Sequence, residues 1–578
     1  MKAGDFVQKT VPVGFEDMKR ILDEDMYYVD KSLMIRNLID HKGSVNLYTR
    51  PRRFGKTLNL SMIRRFFEEE LDTEGEKIDN GYLFHKLNIA KCGGDYMAHQ
   101  GKYPVISLSL KSAKQPTYEM AVASMVDEIA KEFKRHVYVL LNSCLTEHEK
   151  ERFMAIMNRK AEEIEYKKAL EFLSACLAQY HGKRTIILLD EYDVPLEHAH
   201  FTGFYHEMTG FIRSLFESAL KTNPHLEFAV ITGCLRISRE SIFTGLNNLE
   251  IYSITNSWYA DSFGFTEGEI KEMLSFFHLA DKFEEVKNWY DGYRFGEWDI
   301  YNPWSIINYV KTALADREAY PQTYWSNTSS NSIIRELVEH ADSGVRQEIE
   351  VLIAGERIRK PVREDITYDL IFESQDNLWN FLFFTGYLKA GKKSLEDDIQ
   401  YMELMIPNRE VRMIYKRTIL AWFDKKIKGL ERTNLLRALE DGDCETFERF
   451  VSEQLLDTIS FFDYAENYYH GFLAGLLKGA GNYLVVSNRE SGTGRPDLIL
   501  KSPSVRGCAV ILELKVSNTF QGMEQECRRA LEQIEEADYE AQLRAEGYRN
   551  IRKFGVCFYR KECMAVTMSE EEEKVAAR

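Results

Sequence analysis

The run Tyr48-Thr49-Arg50-Pro51-Arg52-Arg53-Phe54-Gly55-Lys56-Thr57 constrains this chain more than any other stretch. It follows a short apolar run, Val45 to Tyr48, and precedes a helical pattern, Leu58 to Phe67. Strand, tight loop, Gly-Lys-Thr and helix is the layout of a phosphate-binding loop. Backbone N–H groups of Arg53, Phe54 and Gly55 and of the first helical turn then point at phosphate oxygens, and the helix dipole favours negative charge there. Lys56 is expected to reach the β- and γ-phosphates and the Thr57 hydroxyl to ligate Mg²⁺. The general loop opens with Gly five residues before its second Gly, and that position here is Arg50, followed by Pro51 with its fixed φ.

A second element supports the first. Arg184-Thr185-Ile186-Ile187-Leu188-Leu189-Asp190-Glu191-Tyr192-Asp193 reads as a buried parallel strand that ends in acid. The ends of parallel strands present catalytic groups. Asp190 is expected in the Mg²⁺ shell, and Glu191 is expected to orient or deprotonate the attacking water. Glu227 to Gly233 is another buried strand, with Thr232 placed to sense the γ-phosphate and Arg236 beyond it to add positive charge or form a structural ion pair. With a strand at Tyr103 to Leu110 and helical patterns between, residues 54 to 233 read as a doubly wound α/β fold, a P-loop NTPase core on a parallel sheet.

The length, 578 residues, is too great for one ordinary core. The nine cysteines are scattered and contain no Cys-x-x-Cys pair, which indicates neither a disulfide framework nor a zinc cluster and fits a cytoplasmic location. No apolar run approaches membrane-spanning length, so no membrane partner is expected. The net charge of −16 argues against a general coating of nucleic acid while permitting local basic surfaces.

Asn308 to Asp424 reads as largely helical, with a helix from Leu378 to Phe384 ended by a Gly turn and a strand from Tyr401, which fits a winged-helix element. The last region carries a second chemistry. Tyr464 to Leu477 is helical, with Glu466 and His470 four apart and therefore on one face. Gly494-Arg495-Pro496-Asp497 leads into one strand, and Gly507 to Lys515 forms another. Glu513 and Lys515 share a strand face and can converge with Asp497. Two carboxylates, with Glu466 available as a further ligand, suit Mg²⁺, and Lys515 would place or deprotonate the water in phosphodiester hydrolysis. Cys527 to Tyr539 reads as an amphipathic helix carrying Gln533, and Lys553 to Phe558 as a final strand.

Tyr28-Val29-Asp30-Lys31, the Arg50 to Thr57 loop, Leu189 to Asp193, and Thr232-Gly233 with Arg236-Ile237-Ser238 resemble the bacterial AAA-ATPase-like family. That family is commonly fused to a C-terminal PD-(D/E)XK nuclease-like domain, which Gly494 to Asp497, Glu513-Leu514-Lys515 and Gln533 resemble. The resemblance implies an ATPase domain over 1–280, a helical and winged-helix middle over 281–432, and a restriction-endonuclease-like α/β domain over 433–578. The function expected is an ATP-binding and ATP-hydrolysing protein coupled to a Mg²⁺-dependent nuclease-like domain, acting on DNA or RNA, with defence against foreign nucleic acid suggested by the architecture. The alternative is a nucleotide-switched regulatory protein whose nuclease fold binds without cutting. Oligomerisation is left open.

Overall fold

The structure, a computed structural model, describes residues 9–141, 144–235, 242–243, 246–325, 343–364, 371, 374–428, 433–456, 466–478, 483–487 and 496–568. The chain divides into two compact units, residues 1–328 with 357–413 and residues 329–356 with 414–578.

The first unit is built on a five-stranded parallel sheet. Its strands are β1 (Val45–Thr49), β2 (Val105–Ser109), β3 (Thr185–Asp190), β4 (Leu226–Gly233) and β5 (Leu249–Tyr252), in the order β2-β3-β4-β1-β5. Every residue of β1 and β3 is buried, because helices cover both faces of a parallel sheet. Those helices include α1 (Leu33–His41), α2 (Lys56–Phe67), α3 (Tyr118–Arg135), α4 (Ala169–His181), α5 (Val194–Thr202) and α6 (Tyr205–Phe216). In register, Tyr48 lies beside Thr232 and Thr49 beside Gly233, while Leu189 lies beside Ile231. The carboxyl ends of β1, β4 and β3 therefore sit side by side, which is where ligands bind in such sheets.

After β5 the chain forms a smaller body. Its three-stranded sheet comprises β6 (Phe265–Thr266), β7 (Tyr293–Phe295) and β8 (Trp298–Tyr301), with α7 (Glu267–Phe276), α8 (Phe283–Tyr290) and α9 (Pro303–Ala315) around one apolar core. Gly264 joins this body to the phosphate-binding loop. Its φ is +78°, its N–H donates to the Phe54 carbonyl at 3.0 Å, and a Cβ there would stand 2.3 Å from Ile300. A side chain at 264 is thus excluded by both conformation and space.

The middle region is helical with one small sheet. Antiparallel strands β9 (Ile358–Pro361), β10 (Lys389–Glu396) and β11 (Ile399–Met405) accompany α10 (Gln375–Phe384) and α11 (Arg409–Lys428). Residues 378 to 384 are buried throughout α10, which explains an apolar sequence interrupted only by Asn380, whose amide donates to the Pro361 and Asp376 carbonyls.

In the second unit, α12 (Thr433–Asp441), α13 (Cys444–Leu456) and α14 (Glu466–Leu477) contribute to one apolar core with one face of a five-stranded mixed sheet. The sheet order follows the chain: β12 (Leu484–Ser487), β13 (Leu498–Lys501), β14 (Cys508–Val516), β15 (Asn550–Tyr559) and β16 (Glu562–Thr567). Only β14 and β15 are parallel, joined by a crossover that contains α15 (Met523–Glu536).

Two sequence expectations change here. The region read as largely helical contains two strands besides that at 401. The strand expected last, around residues 553–558, is followed by β16.

Candidate nucleotide and nuclease sites

The loop between β1 and α2 is held from below by the residue that departs from the general pattern. Arg50 is fully buried. Its guanidinium donates to the carbonyls of Thr49 (2.9 Å), Tyr252 (2.7 Å) and Tyr259 (3.2 Å) and lies over the Phe263 ring. A fixed fork of donors is suited to three carbonyls at once, and a lysine could not reproduce it. Arg50 thereby ties the start of the loop to the end of β5 and to the segment that follows.

The neighbouring residues divide their tasks. Arg52 pairs with Glu197 on α5. Arg53 is exposed, has φ +70° and stacks its guanidinium 4.3 Å from the Trp304 ring. The Phe54 side chain is buried against Tyr293 and Phe295, so only its backbone is available to a phosphate. Gly55 has φ +83° and caps α2. Lys56 Nζ donates to the carbonyls of Arg50 (2.9 Å) and Pro51 (3.0 Å) and contacts Cys234 Sγ at 3.6 Å. The ammonium is thus held inside the loop, at the N-terminus of α2.

Asp190, at the end of β3, joins the first turn of α2 to the end of β4. Thr57 Oγ1 donates to its Oδ2 at 2.7 Å, and Thr232 Oγ1 donates to its Oδ1. A buried carboxylate holding the helix hydroxyl is the donor set that a hard cation such as Mg²⁺ takes, so these residues fit the metal implied by the loop. Glu191, the next residue, has φ +53°, a conformation rare for a residue with a Cβ. Burial, with Asp190 beside it, holds its carboxyl above the ordinary range. Asp193, quoted in the sequence run without a role, is 1% exposed and accepts from the N–H groups of Cys234 (2.7 Å) and Leu235 (3.3 Å). It fixes the chain just beyond Thr232. Arg236 lies outside the described residues.

Beside Gly55 a mainly apolar cleft opens between Tyr27 and Tyr28, Leu58 of α2, and Phe265 and Met273 near and on α7. Lys31 closes one side by donating to the Asp261 carbonyl and to Glu269, both at 2.7 Å.

The structure also brings Asp497, Glu513 and Lys515 together in the second unit. Antiparallel pairing places Leu498 beside Leu512, so Asp497 at the start of β13 meets Glu513 on β14. Asp497 Oδ2 accepts from the Leu514 N–H at 2.8 Å, and the Asp497 N–H donates to Glu513 Oε2 at 3.3 Å. Lys515 Nζ lies 3.5 Å from Glu513 Oε1, and Gln533 Nε2 donates to that same oxygen at 2.5 Å. Burial, with the Asp497 charge next in importance, pushes the Glu513 carboxyl up to about 7. Two carboxylates that repel each other despite a nearby lysine are short of positive charge, and their oxygens fit a hard divalent cation.

His470 is the residue sequence reading underused. Its Nε2 lies 3.0 Å from the Asp497 carbonyl oxygen and 3.4 Å from Ser487 Oγ, which anchors the backbone that carries Asp497. Its spacing from Glu466 was the available signal. The Glu466 side chain is outside the described residues, as are Gly494 and Arg495.

Comparison with known proteins agrees with this division. Residues 12–243 match the family described as "Predicted AAA-ATPase", and residues 464–568 match the "PD-(D/E)XK nuclease superfamily". A protein of Azotobacter chroococcum mcd 1, described as "Uncharacterized protein in vnfD 5'region", is 24% identical over 423 residues, which cover 72% of this chain and 70% of that protein. The chain therefore joins a region that matches the predicted AAA-ATPase family to a C-terminal region that matches the PD-(D/E)XK nuclease superfamily.

Proposed function

We propose that this protein binds and hydrolyses Mg·ATP in its first unit and cleaves phosphodiester bonds in its second. The observation that carries the first half is the convergence of Thr57 and Thr232 on Asp190 beside Gly55-Lys56. Phosphates would lie on the N-terminus of α2, where Lys56 exchanges its loop carbonyls for phosphate oxygens. The apolar cleft beside Gly55 and Leu58 would take the base. Glu191 is positioned beyond Asp190 to orient the attacking water or take its proton.

In the second unit, Asp497 and Glu513 would hold a divalent cation. Such an ion, when bound, supplies Lewis acidity to a phosphodiester and to its attacking water. Lys515 stands beside Glu513 to place the water and offset charge on the phosphate, Gln533 orients Glu513, and His470 supports Asp497. The filled set of Asp497, Glu513 and Lys515 favours cutting over a binding-only role. Defence against foreign nucleic acid is the setting such a pairing of domains suggests.

Two measurements test the reading. Lys56→Ala should lose affinity for a labelled ATP analogue, and unchanged affinity would refute the nucleotide assignment. Asp497→Asn should lose both Mn²⁺ binding by calorimetry and cleavage on gels. Lys515→Ala should retain the ion and lose cleavage, and equal cleavage in all three proteins would remove the second site.

A further inference from the structure

Residues outside the cleavage chemistry contact its supporting elements. In β15, Gly555 is the register partner of Glu513 and Cys557 that of Lys515. Directly paired residues share a sheet face, so Cys557 lies on the same face as Glu513 and Lys515. Helix α15 packs on this face. It carries Gln533, the hydrogen-bond partner of Glu513, and, nearer its start, Cys527.

The two cysteines are fully buried and share a small core with Met523. Cys527 Sγ is 3.3 Å from the Met564 carbonyl oxygen, and Met564 is the register partner of Cys557. Both side chains lie in that one cluster, where the Cys527 side chain holds the Cys557 thiol below its ordinary range. Approach of α15 at this point is already at its limit. A Cβ on Gly555 would stand 2.0 Å from the Cys527 carbonyl oxygen.

We infer that Cys527 and Cys557 form a reversible disulfide that, when closed, displaces α15 and withdraws Gln533 from Glu513. A disulfide brings its sulfurs to about 2 Å, well inside the separation of two thiols in contact. The helix cannot meet this by moving straight toward β15, because its backbone already rests on Gly555. It must roll or slide, and Gln533 moves with it.

The oxidant is a peroxide. The Cys557 sulfur attacks one peroxide oxygen and the O–O bond breaks. This yields a sulfenic acid and, with a thiol proton, one water. The Cys527 sulfur then attacks that sulfur, the S–O bond breaks, and the hydroxyl leaves with the second thiol proton as water. Two thiols lose two electrons in total, and the peroxide gains them.

The test uses the full-length chain treated with hydrogen peroxide and then with dithiothreitol. Non-reducing peptide mass mapping should show a 527–557 crosslink that dithiothreitol reverses. Hydrogen exchange over residues 523–536 should differ between the two forms. Neither change should occur in Cys527→Ala or Cys557→Ala, two variants with independent folding risks. Mn²⁺ binding should weaken at least ~10-fold on oxidation, the low end of what loss of an outer partner costs a metal site. The Mn²⁺ measurement rests on the nuclease reading, whereas the crosslink and the exchange do not. A reduced protein that never binds Mn²⁺ but shows both other changes would support the switch and count against the nuclease. The half-exposed Cys92 and Cys144 serve as internal controls. If they oxidise while Cys527 and Cys557 stay alkylatable after unfolding, or if the bridge forms with no change in α15, the inference is overturned.

Discussion

Glu191 ends β3 in a left-handed conformation, and Arg53 adopts one in the loop that faces it in the fold. Each such residue costs on the order of 1 kcal/mol or more, and such outliers gather where function fixes the backbone. Glu191→Gln keeps the shape and removes the base. It should bind ATP as the wild type does and hydrolyse it at least ~100-fold more slowly, the low end of what a positioned base contributes. Equal turnover would show that another group orients the water. Glu513 makes a pH prediction. Its carboxyl is pushed up to about 7, so proton and cation compete for it near neutrality. Mn²⁺ affinity should rise as pH passes upward through about 7 and level off above it. A titration that is flat from pH 6 to 8 would contradict the placement of Glu513 in the metal site.

The candidate residues were legible in the sequence where their chemistry depends on a short local pattern, as at Lys56, Thr57, Asp190, Glu513 and Lys515. Arg50 was legible only as a departure. Its partners, the carbonyls of Tyr252 and Tyr259, are backbone groups some two hundred residues away, and no side-chain pattern announces them. Asp193 was hidden for the same reason, since it accepts from two backbone N–H groups.

At the scale of elements, buried charge links the middle region to the body after β5. Glu410 on α11 is fully buried and accepts from Ser305 Oγ on α9 at 2.7 Å and from the Trp325 N–H at 2.8 Å. Burial pushes its carboxyl up to about 7, against an ordinary value of 4.5. The folded chain therefore holds this proton more tightly than the unfolded chain. The stability it contributes is complete below about 4.5 and is lost as pH rises through about 7, by an amount on the order of 3 kcal/mol. Glu410→Gln should flatten the fall in melting temperature of the first unit across that window. An unchanged pH profile would place the proton elsewhere.

The same scale shows why some strands escaped the sequence. β1 and β3 are buried throughout, and β3 and β4 carry the apolar runs Ile186–Leu189 and Phe228–Ile231, as a doubly covered sheet requires. β5 is four residues at the sheet edge and includes Glu250, too short and too polar to stand out. β16 follows β15 through Arg560-Lys561, where Arg560 takes φ +53° in place of the glycine or asparagine that marks such turns.

At the scale of the molecule, the second unit has a core of its own. Leu435, Phe447, Leu473, Leu512 and Phe554 belong to one buried cluster drawn entirely from residues after 433. We propose that residues 433–578 fold independently. The isolated fragment should show helix and strand signals by circular dichroism and a cooperative melt, and an unfolded fragment beside a folded full chain would move the boundary.

Among the described residues no helix is long and apolar enough to cross a membrane. The presence of two chemistries on one chain is tested most directly by incubating the full-length protein with plasmid, linear DNA and RNA, with Mg²⁺ or Mn²⁺, and with or without ATP, beside Lys56→Ala and Asp497→Asn. The account predicts metal-dependent cleavage of at least one substrate that Asp497→Asn abolishes, and a response of that cleavage to ATP that Lys56→Ala removes. No cleavage by the wild type under any of these conditions, or equal cleavage by Asp497→Asn, would contradict it.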